Sequence, residues 1–325
     1  MRPSCPPHTF CLTNIQLALV QWRGSLFSPI QHNNTRLATA LLRLIEQQRN
    51  GQTINQGLVK QVVDSFVSLG LDEVDPNKVC LDVYKQHLEA PFLIATETYY
   101  RKESETFLIE NSIPEYLKKA EERLREEEDR VERYLNTQTR KLLVGKCEDV
   151  LIRAQSERLW DNFQNLLDFD QDEDLQRMYA LLSRIPEGLE PLRKKFEEHV
   201  KRAGLDAVSK LVVEGSEGDV LDPKAYVDAL LEVHGKNAAI VNRSFRGEAG
   251  FVASLDKACR DFVNRNAATG PSHSRSAELI AKHSDLLLRK TSKVAEEQDL
   301  ETALNRVVCS FRSTNSRLSD LTHRR

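Results

Sequence analysis

Apolar positions recur along most of this chain every three or four residues, the period that lines side chains up on one face of an α-helix. The spacing predicts a helix over Leu12–Phe27, with Leu12, Ile15, Leu19, Trp22 and Leu26 on its stripe. A second is expected over Thr35–Asn50, facing inward through Leu37, Leu41, Leu44 and Ile45, with Asn50-Gly51 as a left-handed stop. Thr53 reads as the cap of a third, with Ile54, Leu58, Val62, Phe66 and Leu69 inward and Gly70 at its end. A long helix follows over Val79–Leu108. A kink or break is expected in it near Glu89–Pro91, because proline lacks a backbone donor and crowds the preceding turn.

The cleanest stripe is Ile113, Leu117, Ala120, Leu124, Val131 and Leu135, over Ile113–Leu135. A dense charge run fills the positions between. Glu121–Arg125, Glu126–Arg130 and Asp129–Arg133 stand in the favourable i,i+4 order, worth about 0.2–0.5 kcal/mol each. The run reads as a solvated helix face, with a partner-binding surface as the alternative. Further helices are expected over Arg140–Arg153, Glu157–Leu167, Leu175–Arg184 and Pro186–Val213. Asp222-Pro223, a cap followed by proline in the first turn, opens a helix to Phe245. Glu248–Asn266, Ala277–Lys290 and Glu296–Val308 complete the set. Gly215–Gly218 reads as a flexible loop and Ala267–Arg275 as a linker, and no stretch reads as a strand.

The helices echo one another. Tyr116-Leu117 returns as Tyr226-Val227, and the segment around Cys147 returns around Cys259, shifts of about 110 positions. A unit of some five helices that buries its faces on neighbours makes an elongated α-solenoid, not a ball.

Composition narrows the class. Glycine (13) and proline (11) are scarce in 325 residues, as a helical chain with few turns requires. Charged residues make up 29% and net charge is −3, which argues against broad electrostatic binding of nucleic acid. No apolar run is long enough to span a membrane. Met1–Thr9, with Pro3, Pro6 and Pro7, reads as a loose tail, and Phe10–Val20 as an amphipathic helix rather than a leader. The six cysteines are scattered without a CxxC pair, which suits a reducing compartment.

Candidate chemistry is thin. There is no phosphate-binding loop, dinucleotide fingerprint, HExxH or GxSxG. Cys5, His8 and Cys11 lie close together but lack a fourth ligand and sit among prolines, against a zinc site. Asp168, Asp170, Asp172 and Asp174 alternate like half a calcium loop. The central glycine and terminal glutamate are missing, so helix capping by Asp170 or Asp172 is preferred. Cys147 and Cys259 fall on helix stripes and read as core residues, as do Trp22, Trp160 and Phe163. No catalytic, cofactor-binding or metal residue is assigned.

An ordered set of segments resembles the cullin family, specifically its SCF-type first cullin. They are Leu17–Arg23 with Leu26-Phe27, Leu44–Glu46 with Arg49–Asn55, Val83–Lys85 with Pro91–Leu93, and Tyr116–Glu121. They continue with Phe163–Asp168, Asp174-Leu175 with Arg177–Tyr179, Asp222–Lys224 with Tyr226-Val227, and Gly250–Cys259. The likeness covers about Ile15 to Val308. It implies stacked repeats of about five helices: a remnant of the first over 15–50, the second over 51–154 and the third over 155–266. Residues 267–308 would hold a linker and the first helices of a cullin-homology domain, with an unrelated tail over 1–14 and a polar tail over 309–325.

The resemblance also implies a role. Cullins are non-catalytic scaffolds of ubiquitin ligases in cytoplasm and nucleus, and use no cofactor. They hold a Skp-type adapter with its F-box receptor at one end and a RING-box protein at the other, and meet stalk-binding regulators between. The stretches that carry the first two roles in the family have no counterpart here, so those sites are expected to be missing. Apolar surface is expected around Leu19, Trp22 and Leu26. An unrelated all-helical tethering or adaptor protein is the alternative, and an enzyme in a helical fold a third.

Overall fold

The computed structural model describes residues 14–32, 35–70, 80–214, 221–269 and 275–291, and among these every regular element is helical. Two compact units divide the chain, Met1–Gln155 and Ser156–Arg325.

In the first unit, α1 runs from Asn14–Trp22 through a π turn, Arg23–Phe27, into Ser28–His32. It is followed by α2 (Arg36–Arg49) and α3 (Gln56–Ser68). The long α4 joins Asp82–Tyr84, a second π turn at Lys85–Glu89, and Ala90–Glu110. α5 (Ile113–Tyr134) and α6 (Thr139–Leu151) close the unit, α6 packing on both α4 and α5. Of the kink or break expected near Glu89–Pro91, the break does not occur, and a π turn stands at the place. The Ala90 amide bonds to the Lys85 carbonyl, five residues back, and the wide turn lets the helix run on through Pro91. α1 is built alike: the Ser28 amide bonds to Arg23, and Pro29 follows at the same offset.

In the second unit, α7 (Ser156–Asp168), α8 (Asp172–Leu182) and α9 (Glu190–Glu214) are followed by α10 (Pro223–Ser244), α11 (Ala249–Asn264) and α12 (Arg275–Thr291). α9 packs closely along α11, and Gly204 makes the approach possible: a Cβ there would stand 2.4 Å from the Phe262 ring. Pro186 does not open α9, which begins at Glu190. A turn occupies the interval, and Gly188 lies so near the end of α8 that a Cβ would meet the Leu182 carbonyl oxygen at 2.0 Å.

Side-chain caps account for several helix ends. Asp222 accepts from the amides of Lys224 and Ala225, as its sequence position predicts. Gly51 takes the left-handed stop at φ 83°. Asn55, not Thr53, caps α3, accepting from the Leu58 amide at 3.0 Å, because the helix starts only at Gln56. Ser112 and Glu115 form a reciprocal cap on α5, Glu115 Oε2 accepting from both the Ser112 amide and hydroxyl.

The two cores differ. Tyr84, Tyr100, Tyr116 and Tyr134 fill the first, each with its hydroxyl bonded. Phe163, Phe196, Phe245 and Phe251 fill the second, with Phe245 stacked on Phe251 at 4.0 Å. The sequence echo nevertheless has a structural counterpart. Tyr116 and Tyr226 are both buried four residues past the cap of their helix. Tyr116 donates to the Leu151 carbonyl at the end of α6, and Tyr226 accepts from Asn266 just beyond α11. Cys147 on α6 and Cys259 on α11 are likewise both buried.

Trp22 is not the core anchor its spacing predicts. It is 56% exposed, and Phe27 takes the inward place, edge-on to Phe66 at 5.1 Å. Phe163 is fully buried, and Trp160 is half-buried with its indole N–H on the Gly188 carbonyl. The expected tails at Met1–Thr9 and 309–325, the loop Gly215–Gly218 and the helix Glu296–Val308 lie outside the described residues.

Candidate functional site

The first unit carries a groove of about 790 Å³ between α2 and α4. Thr39, Leu42, Arg43, Glu46 and Asn50 line it from α2, at the spacing of one helix face, and Tyr99, Lys102, Thr106 and Glu110 line it from α4. At one end the helices touch, where the Tyr99 hydroxyl donates to Asn50 Oδ1 at 2.8 Å.

Arg49 closes that end and is itself buried. Its guanidinium lies within 5.4 Å of the ring centres of Phe92, Tyr99 and Tyr100. Nε donates to Glu127 Oε1 at 2.9 Å and Nη2 to Thr96 Oγ1 at 2.7 Å. The same Glu127 oxygen accepts from Tyr100 and Arg130. Arg130 also donates to Tyr134, whose hydroxyl donates to Gln48 Oε1 at 2.6 Å. One carboxylate thus ties α2, α4 and α5 together through two arginines and two tyrosines.

Sequence reasoning missed this cluster. Glu127 and Arg130 belong to the run read as a solvated face, yet Glu127 is 0% exposed and Arg130 4%. Arg130 pairs with Glu127 instead of Glu126, which turns back to Arg123 at 2.7 Å. Asp129–Arg133 forms as expected at 3.8 Å, on the surface. A signal was present: Glu127 is three residues past Leu124 and four before Val131, so it falls on the apolar stripe itself.

The electrostatics are those of a clamp. Burial pushes the Glu127 carboxyl up, but Arg49 and Arg130 outweigh it and hold the group below the ordinary carboxylate range. Burial opposes the charge on Arg49, and the Glu127 carboxylate keeps its pKa raised. Burial lifts the Tyr134 phenol to about 12 and the Tyr100 phenol well up, the latter aided by Glu127. No member of the cluster is poised to exchange a proton near neutrality.

The other candidates are similarly occupied by packing. Asp168, Asp170, Asp172 and Asp174 diverge, each on its own cation: Asp168 near Arg202 and His199, Asp170 on Lys236, Asp172 on Arg243 and Asp174 on Arg177. Neither Asp170 nor Asp172 caps α8. Asp170 sits at φ 51°, Gln171 takes the cap position, and Asp172 is already helical. Among the described residues no group of three acidic, histidine or cysteine side chains could hold a metal. Burial pushes the Cys259 thiol to about 12 and the Cys147 thiol above its usual range, the opposite of nucleophile activation. Cys5, His8 and Cys11 lie outside the described residues.

A family model, the cullin α-solenoid domain, matches residues 11–317. The chain belongs to the cullin family. That membership removes the unrelated tethering protein from consideration and gives the all-helical architecture its class, an α-solenoid. This cullin is 48% identical to Cullin-1 of Dictyostelium discoideum over 298 residues, covering 91% of the chain and 38% of that relative. It is 43% identical to Cullin-1 of Schizosaccharomyces pombe, with 91% and 38% covered. It is 40% identical to Cullin-1 of Caenorhabditis elegans, with 91% and 39% covered. The cullin spans less than two fifths of the length of these relatives. No helix among its described residues is long and apolar enough to cross a membrane.

Proposed function

We propose that this cullin serves as the stalk portion of a scaffold in an SCF-type cullin-RING ubiquitin ligase and performs no chemistry itself. The match over residues 11–317, with Cullin-1 relatives at 40–48% identity, carries the reading. The site geometry supports it. Asp168, Asp170, Asp172 and Asp174 are engaged in ion pairs, Cys147 and Cys259 are sunk in the core, and the buried Arg49–Glu127–Arg130 cluster joins helices. A scaffold acts by holding two partners at fixed separation, so that transfer between them becomes effectively intramolecular. Clamps that resist bending are what such a spacer needs. In this reading the whole ligase, in cytoplasm and nucleus, contains a Skp-type adapter with its F-box receptor and a RING-box protein, neither of whose sites is assigned to this stalk portion, and stalk-binding regulators meet the stalk. Substrate choice rests with the receptor.

A chimera tests the reading. The matched stretch of a full-length Cullin-1 relative is replaced by that of this cullin, and ubiquitin transfer to an F-box substrate is measured. Transfer within a few-fold of the parent is expected. Loss of transfer with adapter and RING-box capture intact would refute the scaffold role. A second arm adds the chain alone to ubiquitin-charged conjugating enzyme. A faster discharge than with the enzyme by itself would refute the non-catalytic part.

A further inference from the structure

Side-chain hydrogen bonds tie the last turn of α2 to two other helices. We infer that this grip, rather than apolar packing, sets a single angle at which α2 lies on α4 and α5. Three consecutive residues take part. Gln48 Oε1 accepts from Arg130 Nε at 3.1 Å and from the Tyr134 hydroxyl at 2.6 Å, both on α5. Arg49 donates to Glu127 on α5 and to Thr96 on α4. Asn50 Oδ1 accepts from Tyr99 on α4. Successive residues point about 100° apart around a helix, so bonds from all three oppose rotation as well as tilt. Thr96 is itself fixed, its hydroxyl donating to the Phe92 carbonyl at 2.7 Å.

Apolar contact alone would not select one angle. The buried apolar residues of α2 are Ala38, Leu41 and Ile45, a narrow stripe whose attraction has no direction. Helix pairs held by such contacts scatter by about 15–20° around their preferred crossings. Hydrogen bonds weaken steeply once bent, so a tilt of that size would disturb several at once. Away from the grip, α2 and α4 stand apart on the two walls of the groove. Ala40 lies nine residues from Arg49, about 14 Å along the axis, so a swing of roughly 20° would move it by about 5 Å. A buried ion cluster adds little net stability over a well-packed apolar set, but it can hold one arrangement among several. The grip stands at the expected boundary between the 15–50 and 51–154 repeats, where it would fix one repeat on the next. The inference does not depend on the scaffold reading.

The test measures the distance between nitroxides at Ala40 and Glu110, exposed residues toward the far ends of α2 and α4, by pulsed electron spin resonance. The labels are attached through a ketone-bearing residue at each position, which leaves the six cysteines untouched. The otherwise unaltered chain should give one narrow distribution. Arg49→Met, Glu127→Leu and Arg130→Met together should roughly double its width, or split it by up to about 5 Å, with α4 and α5 still protected in hydrogen exchange. Leu41→Ala removes packing from α2 but leaves the grip, so it should weaken protection of α2 without widening the distribution. Should the triple variant not fold, Gln48→Ala with Tyr99→Phe takes its place, removing three hydrogen bonds and no charge, and broadening is again expected. A distribution as narrow as the parent's in the variant that folds overturns the inference. So does a Leu41→Ala chain as broad as that variant, or a parent that is already broad.

Discussion

Replacing Glu127 by glutamine keeps the shape of the side chain and removes the charge on which the first unit's clamp depends. Arg49 and Arg130, 4% exposed each, would then face one another across a neutral amide, whose carbonyl oxygen can still accept from both but carries no charge to offset theirs. Breaking a buried ion pair by removing one partner typically costs 3–5 kcal/mol, because the remaining charge stays buried without compensation. Here two charges are left, so about 4 kcal/mol is expected, a large fraction of the 5–15 kcal/mol that stabilises a domain. Two units make a single unfolding curve ambiguous, so hydrogen exchange read by mass spectrometry is the suitable assay. Peptides from α2, α4 and α5 should lose protection while those from α9 and α11 keep theirs. The sign with pH is fixed by the direction of the shift. Glu127 is held below its unfolded-state value, so its contribution is complete at neutrality and disappears as pH falls through and below the carboxylate range. The difference between wild type and E127Q should therefore narrow in acid. A loss under about 1 kcal/mol, or equal loss in both units, would refute the clamp. Replacing Arg49, Glu127 and Arg130 together by Met, Leu and Met should recover most of the stability, since a well-packed apolar set avoids the desolvation cost.

Three smaller tests address other joints. Gly188→Ala should lower stability by roughly 2–4 kcal/mol in thermal unfolding, since its Cβ would collide with the Leu182 carbonyl, and an unchanged midpoint would show that the turn can shift. Asp222→Ala should cost about 1 kcal/mol, with exchange increased in the first turn of α10 only. In native alkylation at mildly alkaline pH, Cys80 should be labelled well before Cys147 and Cys259, whose thiols are buried. Equal labelling in the mass spectrum would contradict the packing of α6 and α11.

The helical architecture was legible because it is written locally. The stripe of α5 and the inward Leu41 and Ile45 of α2 sit where the period of apolar residues places them, and Asp222 and Gly51 act as sequence position predicts. In α3, by contrast, Val59 and Val63 turn inward with Phe66, and Leu58, expected inward, is 53% exposed. Errors came where a residue's role depends on what lies across from it. Thr53 and Asn55 are both competent caps, and only the exact first turn chooses between them. Pro91 forbids an ordinary helical turn, and nothing in the neighbouring residues announces that a π turn absorbs it. Trp22 and Phe27 compete for one inward place, and contact with Phe66 decides for Phe27.

The sequence by itself determined that this protein is helical and resembles the cullins, because periodicity, caps and family segments are properties of neighbours along the chain. Only the tertiary structure decided which charges pair in the core. Arg49 and Glu127 are 78 positions apart, and although its place on the apolar stripe points Glu127 inward, nothing local names the two guanidiniums it meets there. The cost of burying each is repaid only by the other, so the pairing exists as a property of the packed helices and of nothing shorter.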